Sequence, residues 1–249
     1  MEMPQAQALV DGGDGVWTAV ISAYLFEHPA GRVLIDTGYG RVTAQGGKQA
    51  YPGRLFGTQM KGFEMGQPVA DQLQVAPDLL VVTHMHADHA GGLVDFPDTP
   101  LLVDPLEWEA ANRYGLVHGY VDDPYRDRTL VQDLAFDSGP VPSAPMFERS
   151  HDLFGDGSLV LIPAPGHTPG SMLVLVNERI LLTGDTAWVE QNWKGPTPKG
   201  KSITRHVEFD WEEELLAQER IRQWAEAAPD RQVICGHDPS NAELPSVLR

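Results

Sequence analysis

Apolar residues along this chain fall into short runs rich in Val, Ile and Leu, punctuated by glycine and proline, a pattern that predicts strands interrupted by helices. Strands are expected at Thr18–Phe26, Val33–Asp36, Leu79–Thr83, Pro100–Val103, Leu159–Pro163, Met172–Val176, Ile180–Thr183 and Gln232–Cys235. Between them, Gln67–Pro68 opens a short helix through Ala76, and Asp104 with Pro105 supplies an N-cap and a first helical residue for another through Tyr114. Further on, Asp210 and Glu213 have capping-box spacing, and Ala217, Ile221, Trp224 and Ala228 share one face before Pro229 stops the helix. This alternation predicts an α/β fold. The segments Tyr39–Gly66 and Gly115–Asp137 fit neither period, and loops this long in a compact domain tend to be functional.

Val33-Leu-Ile-Asp36-Thr-Gly38 is echoed by Ile180-Leu-Leu-Thr-Gly184-Asp185, each placing an aspartate at a strand end. Two halves that each bury a sheet against helices would build a four-layered αββα sandwich, with polar loops meeting at one edge. No linker-like stretch splits the chain, so residues 1–249 are expected to form a single domain.

Composition narrows the partners. With 42% hydrophobic and 21% charged residues the chain reads as an ordinary globular protein rather than a disordered one. Its 18 Lys and Arg against 35 Asp and Glu give a net charge of −17, which repels phosphate backbones and disfavours nucleic acid as a partner. The longest apolar stretch, Val16 to Phe26, falls short of the roughly 20 residues that span a bilayer, so no membrane helix is expected. Glu2 stands where a secretory signal carries positive charge, so a cytoplasmic location is the expectation. The single Cys235 forms no intramolecular disulfide and reads as a buried strand residue rather than a nucleophile.

The chemistry is concentrated in Thr83-His84-Met85-His86-Ala87-Asp88-His89-Ala90-Gly91-Gly92, directly after the apolar Leu79–Val82. Three imidazoles and a carboxylate within six residues offer nitrogen and oxygen ligands suited to zinc and neighbouring divalent ions. A strand-to-loop bend lets His84 and His86 share one ion while Asp88 and His89 face another; Gly91 and Gly92 permit a tight turn afterwards. Further ligand candidates follow apolar strands: His167 in Gly166-His167-Thr-Pro-Gly170, Asp185 after Leu181-Leu-Thr-Gly, and His237 after Val233-Ile-Cys-Gly. The remaining histidines, His28, His118, His151 and His206, lie in polar or turn-like contexts and read as surface or loop residues.

Val33–Gly38, Thr83–Gly92, Gly166–Gly170, Gly184–Thr186 and Gly236-His237-Asp238 resemble the five ordered motifs of the metallo-β-lactamase-fold hydrolases, spread over about the whole chain. The resemblance implies the αββα fold and a dinuclear site. His84, His86 and His167 would bind one metal; Asp88, His89 and His237 would bind the other; Asp185 would bridge them. Asp36 would order the ligand loop through hydrogen bonds. Class B1 β-lactamases usually carry cysteine at the position of Asp185, and class B3 enzymes lack a bridging aspartate, so antibiotic hydrolysis is disfavoured. Flavodiiron oxygen reductases usually have glutamate at the position of His86, which disfavours a redox role.

N-acyl homoserine lactonases are the members most similar in length, ligand set and Gly-His-Thr-Pro-Gly turn. They commonly carry tyrosine three residues past the bridging aspartate, where this chain has Trp188. Trp188 and Trp193 are expected to line an apolar substrate pocket. The implied function is hydrolysis of a lactone or related carboxylic ester by a hydroxide held between two divalent ions, zinc first, with iron, manganese or cobalt as alternatives. Asp88 would carry a proton to the leaving alkoxide. The same apparatus would suit a thioesterase of glyoxalase II type or a phosphotriester hydrolase; a non-catalytic metal-binding member is disfavoured because a structural site needs only one closed ligand set.

Overall fold

The computed structural model describes residues 2–4, 15–46, 66–115, 118–120, 134–195, 199–200 and 208–244. Most of Tyr39–Gly66 and Gly115–Asp137, and His206, lie outside the described residues. Strands run over Glu2–Pro4 (β1), Val16–Thr18 (β2), Tyr24–His28 (β3), Gly31–Ile35 (β4), Leu79–Val81 (β5), Leu101–Leu102 (β6), His151–Asp152 (β7), Leu159–Pro163 (β8), Met172–Val176 (β9), Ile180–Leu182 (β10) and Gln232–Ile234 (β11). Helices run over Arg41–Gly46 (α1), Val69–Gln72 (α2), Ala87–Ala90 (α3), Pro105–Arg113 (α4), Gln191–Lys194 (α5) and Trp211–Glu226 (α6). The chain packs as two compact units: Ile21–Ala135 with Thr168–Gly170, and Met1–Val20 with Phe136–His167 and Ser171–Arg249.

The first of these units carries the sheet β3-β4-β5-β6, antiparallel at β3/β4 and parallel from β4 to β6. Leu34, Leu80 and Leu101 pack with Met85, Leu93 and Ala110 in its core. The parallel register pairs Ile35 with Val81, so the chain leaves both strands side by side at Asp36 and Val82. Helix α4 begins as expected, Asp104 capping it by accepting from the Leu106 N–H at 2.7 Å with Pro105 in the first turn. Helix α2 is shorter than expected, ending at Gln72 rather than Ala76.

The other unit carries the sheet β11-β10-β9-β8-β7, antiparallel except for the parallel pair β10/β11, beside the two-stranded β1-β2. Strand β9 is apolar throughout because both of its faces are covered. Leu173 and Leu175 on one face pack with Ala217, Ile221 and Trp224 of α6, the helix face expected from the sequence. Each leucine or isoleucine side chain among these, fully buried, stabilises by about 1.5–3 kcal/mol. Asp210 caps α6 by accepting from the Glu212 and Glu213 N–H groups, but the reciprocal half of the capping box is absent: the Asp210 N–H donates to the Gly166 carbonyl at 2.8 Å.

The expected strand Thr18–Phe26 is broken into β2 and β3. Val20 between them pairs with His237 instead of a strand neighbour, its N–H donating to the His237 carbonyl at 3.3 Å and its carbonyl facing His237 Nδ1 at 2.9 Å.

Cys235 follows β11 and is buried in the core with Trp193. Burial, reinforced by Asp238, raises its thiol pKa far above the ordinary value, so almost no thiolate exists at neutral pH. The native protein is therefore expected to resist an aromatic disulfide reagent that labels one thiol once it is unfolded; rapid stoichiometric labelling in native buffer would contradict this burial. Among the described residues no helix is long and apolar enough to cross a membrane.

Candidate metal centre

In both units, a parallel strand pair delivers candidate ligands at its carboxyl-terminal ends. After β4 and β5, the Asp36 N–H donates to the Val81 carbonyl, and the Asp36 carboxylate accepts from the Thr83 N–H at 2.7 Å and the Thr83 hydroxyl at 2.9 Å. Asp36 adopts the left-handed conformation, φ 56°, which turns its carboxylate back over the loop. Its Oδ2 lies 2.8 Å from His89 Nδ1. Asp36 thus contacts both Thr83, the residue before His84, and His89 itself.

The loop brings its histidines together. The rings of His84 and His86 are 4.6 Å apart and those of His84 and His89 4.2 Å apart; all three are buried, while Asp88 keeps 17% of its side chain exposed. His86 precedes α3 and takes its first backbone hydrogen bonds, with the His89 and Ala90 N–H groups donating to its carbonyl. Gly119 packs on the His86 ring so closely that a Cβ there would sit 2.7 Å from its Cδ2. Gly92 lies against Thr37, where a Cβ would meet the carbonyl oxygen at 2.4 Å, so the glycine serves a close approach.

Glu107 on α4, which no sequence motif marks, is fully buried. It accepts from the Met85 N–H at 2.8 Å, between His84 and His86, and from the Gly170 N–H at 3.1 Å.

After β10 and β11, the Thr183 N–H donates to the Ile234 carbonyl, and Gly184-Asp185 runs beside Cys235-Gly236-His237. Asp185 lies in a short 3₁₀ turn, Gly184–Thr186, with His237 Nε2 3.1 Å from its Oδ1 and His167 Nε2 3.5 Å from its Oδ2. Gly236 leaves room for this carboxylate; a Cβ there would lie 2.5 Å from Asp185 Oδ1. His167, Asp185 and His237 therefore converge within their own unit, although they are 18 to 70 positions apart in sequence.

Both tryptophans expected to line a pocket are buried. Trp193 packs in the hydrophobic core with Cys235 and Trp224. The Trp188 indole N–H donates to Asp185 Oδ2 at 2.9 Å, its ring stacking on Trp17. Trp188 thereby holds the candidate bridging carboxylate, a contact that a side chain three residues away can reach only because the turn after β10 folds back.

Behind His167 lies a charged cluster without solvent access: Lys199, Glu208 and Glu214. Burial works against the Lys199 ammonium, but Glu208, Glu214 and Asp185 outweigh it and raise its pKa above the ordinary value. Burial likewise opposes charge on Glu208, but His167 and Lys199 prevail and lower its pKa, whereas burial pushes Glu214 well up towards the neutral acid. No short motif marks these residues in the sequence; only the fold assembles them.

The donor chemistry fits divalent cations. His89, His167 and His237 each face an acceptor through Nδ1: Asp36 Oδ2 at 2.8 Å, Glu208 Oε2 at 2.8 Å and the Val20 carbonyl at 2.9 Å. An acceptor at Nδ1 makes that nitrogen the donor and leaves Nε2 as the ligand nitrogen. For His167 and His237, Nε2 then faces the Asp185 carboxylate, so electron pairs converge on a region that a cation would satisfy.

The Metallo-beta-lactamase superfamily model matches residues 17–223, and the chain belongs to that superfamily. It has that superfamily's mixed α/β fold. The chain is 26% identical over 228 residues to N-acyl homoserine lactonase AttM of Agrobacterium fabrum, covering 87% of this chain and 81% of the relative. A probable metallo-hydrolase of Mycobacterium tuberculosis is 28% identical over 251 residues, covering 88% of this chain and 75% of the relative. A solved N-acyl homoserine lactone hydrolase, with N-hexanoyl-L-homoserine at its catalytic metal centre, superposes with a TM-score of 0.68 at 19% identity, covering 99% of this chain and 93% of that one.

Proposed function

We propose that this chain is a dinuclear metal-dependent lactonase that opens lactones or cleaves related carboxylic esters. The observation that carries the metal reading is the grip on His89, His167 and His237 through Nδ1, because it fixes each ring with Nε2 as the ligand nitrogen. As the family's motifs imply, His84, His86 and His167 would bind one ion, Asp88, His89 and His237 the other, and Asp185 would be shared between them. Zinc suits these nitrogen and oxygen donors. Lactones are supported as the substrate class by the named activity of AttM.

Two divalent ions supply Lewis acidity and an activated water when bound. The chain's own contribution is position and proton handling. Asp36 and Glu107 clamp the 83–89 loop from two sides through Thr83, His89 and the Met85 N–H. Asp88, the one partly exposed member of the set, would carry a proton to the leaving alkoxide. Trp188 spends its only hydrogen-bond donor on Asp185, so it does not supply the substrate-carbonyl contact a phenol could make.

The test is elemental analysis of the purified enzyme together with kcat/KM on N-acyl homoserine lactones, glutathione thioesters and phosphotriesters. Two divalent ions per chain and a preference for lactones are expected. His118→Ala, at an exposed position, should retain both properties. A fully active enzyme with one ion per chain that added metal does not improve would overturn the dinuclear reading; preference for thioesters or phosphotriesters would overturn the substrate class.

A further inference from the structure

We propose that Lys199 and Glu208 are positioning residues for the hydrolytic centre, locking His167 and Asp185 into one geometry through a closed, buried circuit. Glu208 acts as a fork: Oε2 lies 2.8 Å from His167 Nδ1, and Oε1 lies 3.0 Å from Lys199 Nζ. Lys199 also donates to the Asp185 backbone carbonyl, reaches Glu214 Oε1 at 2.6 Å, and places Nζ 4.9 Å from the centre of the Trp188 ring. Trp188 closes the circuit by donating to Asp185 Oδ2, which lies 3.5 Å from His167 Nε2. The turn at His167 and the turn at Asp185 are thus tied together by one ammonium and one carboxylate, both with no solvent exposure.

A purely structural role explains this poorly. Taking an ammonium and a carboxylate out of water costs several kcal/mol per ion, and well-packed apolar residues of similar volume often serve stability as well or better. What apolar residues cannot provide is a hydrogen-bond acceptor that sets the tautomer and plane of an imidazole, together with a donor that pins the neighbouring ligand's backbone. Glu208 is that acceptor and Lys199 that donor. The Lys199 charge also holds the Glu208 fork in place, while its remaining protons reach Asp185 and Glu214.

The inference rests on His167 and Asp185 being metal ligands, so the test separates the two ideas. Zinc affinity is measured by competition with a chromophoric chelator, alongside the visible spectrum of the cobalt-substituted protein, for Glu208→Leu, Lys199→Met, the double variant and His167→Ala. Glu208→Leu and Lys199→Met are expected to weaken zinc binding at one site by about 10–100-fold and to shift the cobalt bands. The double variant, which removes both members of the buried Lys199–Glu208 ion pair, should be the better folded form yet keep the weakened site. If His167→Ala leaves zinc binding unchanged, the ligand assignment fails. If His167→Ala loses zinc while the folded double variant matches wild type in affinity and cobalt spectrum, the positioning role alone is overturned. In the wild-type zinc enzyme, nitrogen-edited NMR should show a slowly exchanging Nδ1 proton on His167; its absence would overturn the proposal however the variants fold.

Discussion

Asp185→Asn is expected to lower kcat/KM by well over ~100-fold and to reduce metal content, because losing residues that merely orient ligands already costs about 10–100-fold. The carboxylate is buried beside the lone pairs of two ring nitrogens, His237 Nε2 at 3.1 Å from Oδ1 and His167 Nε2 at 3.5 Å from Oδ2, an arrangement that a cation would satisfy, while the Trp188 N–H donates to Oδ2. An amide puts an N–H donor against one of these and contributes no charge to neutralise a pair of cations. Trp188→Phe should be milder. It removes one hydrogen bond to Asp185 while keeping the ring stacked near Trp17, so kcat should fall by less than in Asp185→Asn and KM should change little. Steady-state kinetics with elemental analysis of each variant checks both. Wild-type activity and metal content in Asp185→Asn would remove Asp185 from the site.

Asp36→Ala should produce the largest loss of stability among the variants considered, on the order of 3–6 kcal/mol out of a typical total of about 5–15 kcal/mol. Three donors converge on this buried carboxylate: the Thr83 N–H, the Thr83 hydroxyl and His89 Nδ1. A buried polar group that loses its partner costs about 1–3 kcal/mol, and alanine holds the left-handed backbone at φ 56° less readily than aspartate. Urea denaturation of the metal-free protein isolates this fold effect. Zinc competition on the folded fraction should show a second loss, since His89 then rotates without its anchor. A metal-free Asp36→Ala protein as stable as wild type would contradict the buried hydrogen-bond set.

Much of the fold was legible because its elements are set locally. Met172–Val176 is an unbroken apolar run, and a strand covered on both faces needs no other signal; the sequence-based and observed bounds coincide. Helix α4 could be read from Asp104-Pro105 because an N-cap and a fixed proline φ act within a single turn. The expectation of one strand over Thr18–Phe26 failed where tertiary structure took over: apolar content favours a continuous strand, but Val20 gives its backbone to His237, 217 positions away.

The candidate site divides along the same line. The residue types and spacing of His84-x-His86-x-Asp88-His89 suit metal ions by donor chemistry alone, and His167, Asp185 and His237 stand out because each follows an apolar strand. Those properties belong to the sequence. The direction in which each imidazole points does not, because that depends on Asp36, Glu208 and the Val20 carbonyl, groups with no sequence relation to the histidines they hold. Glu107, Lys199 and Glu208 carry no motif, and charged residues are ordinarily solvated. Only the packing that excludes water from around them turns their charges into directional constraints on the loops that carry the candidate ligands.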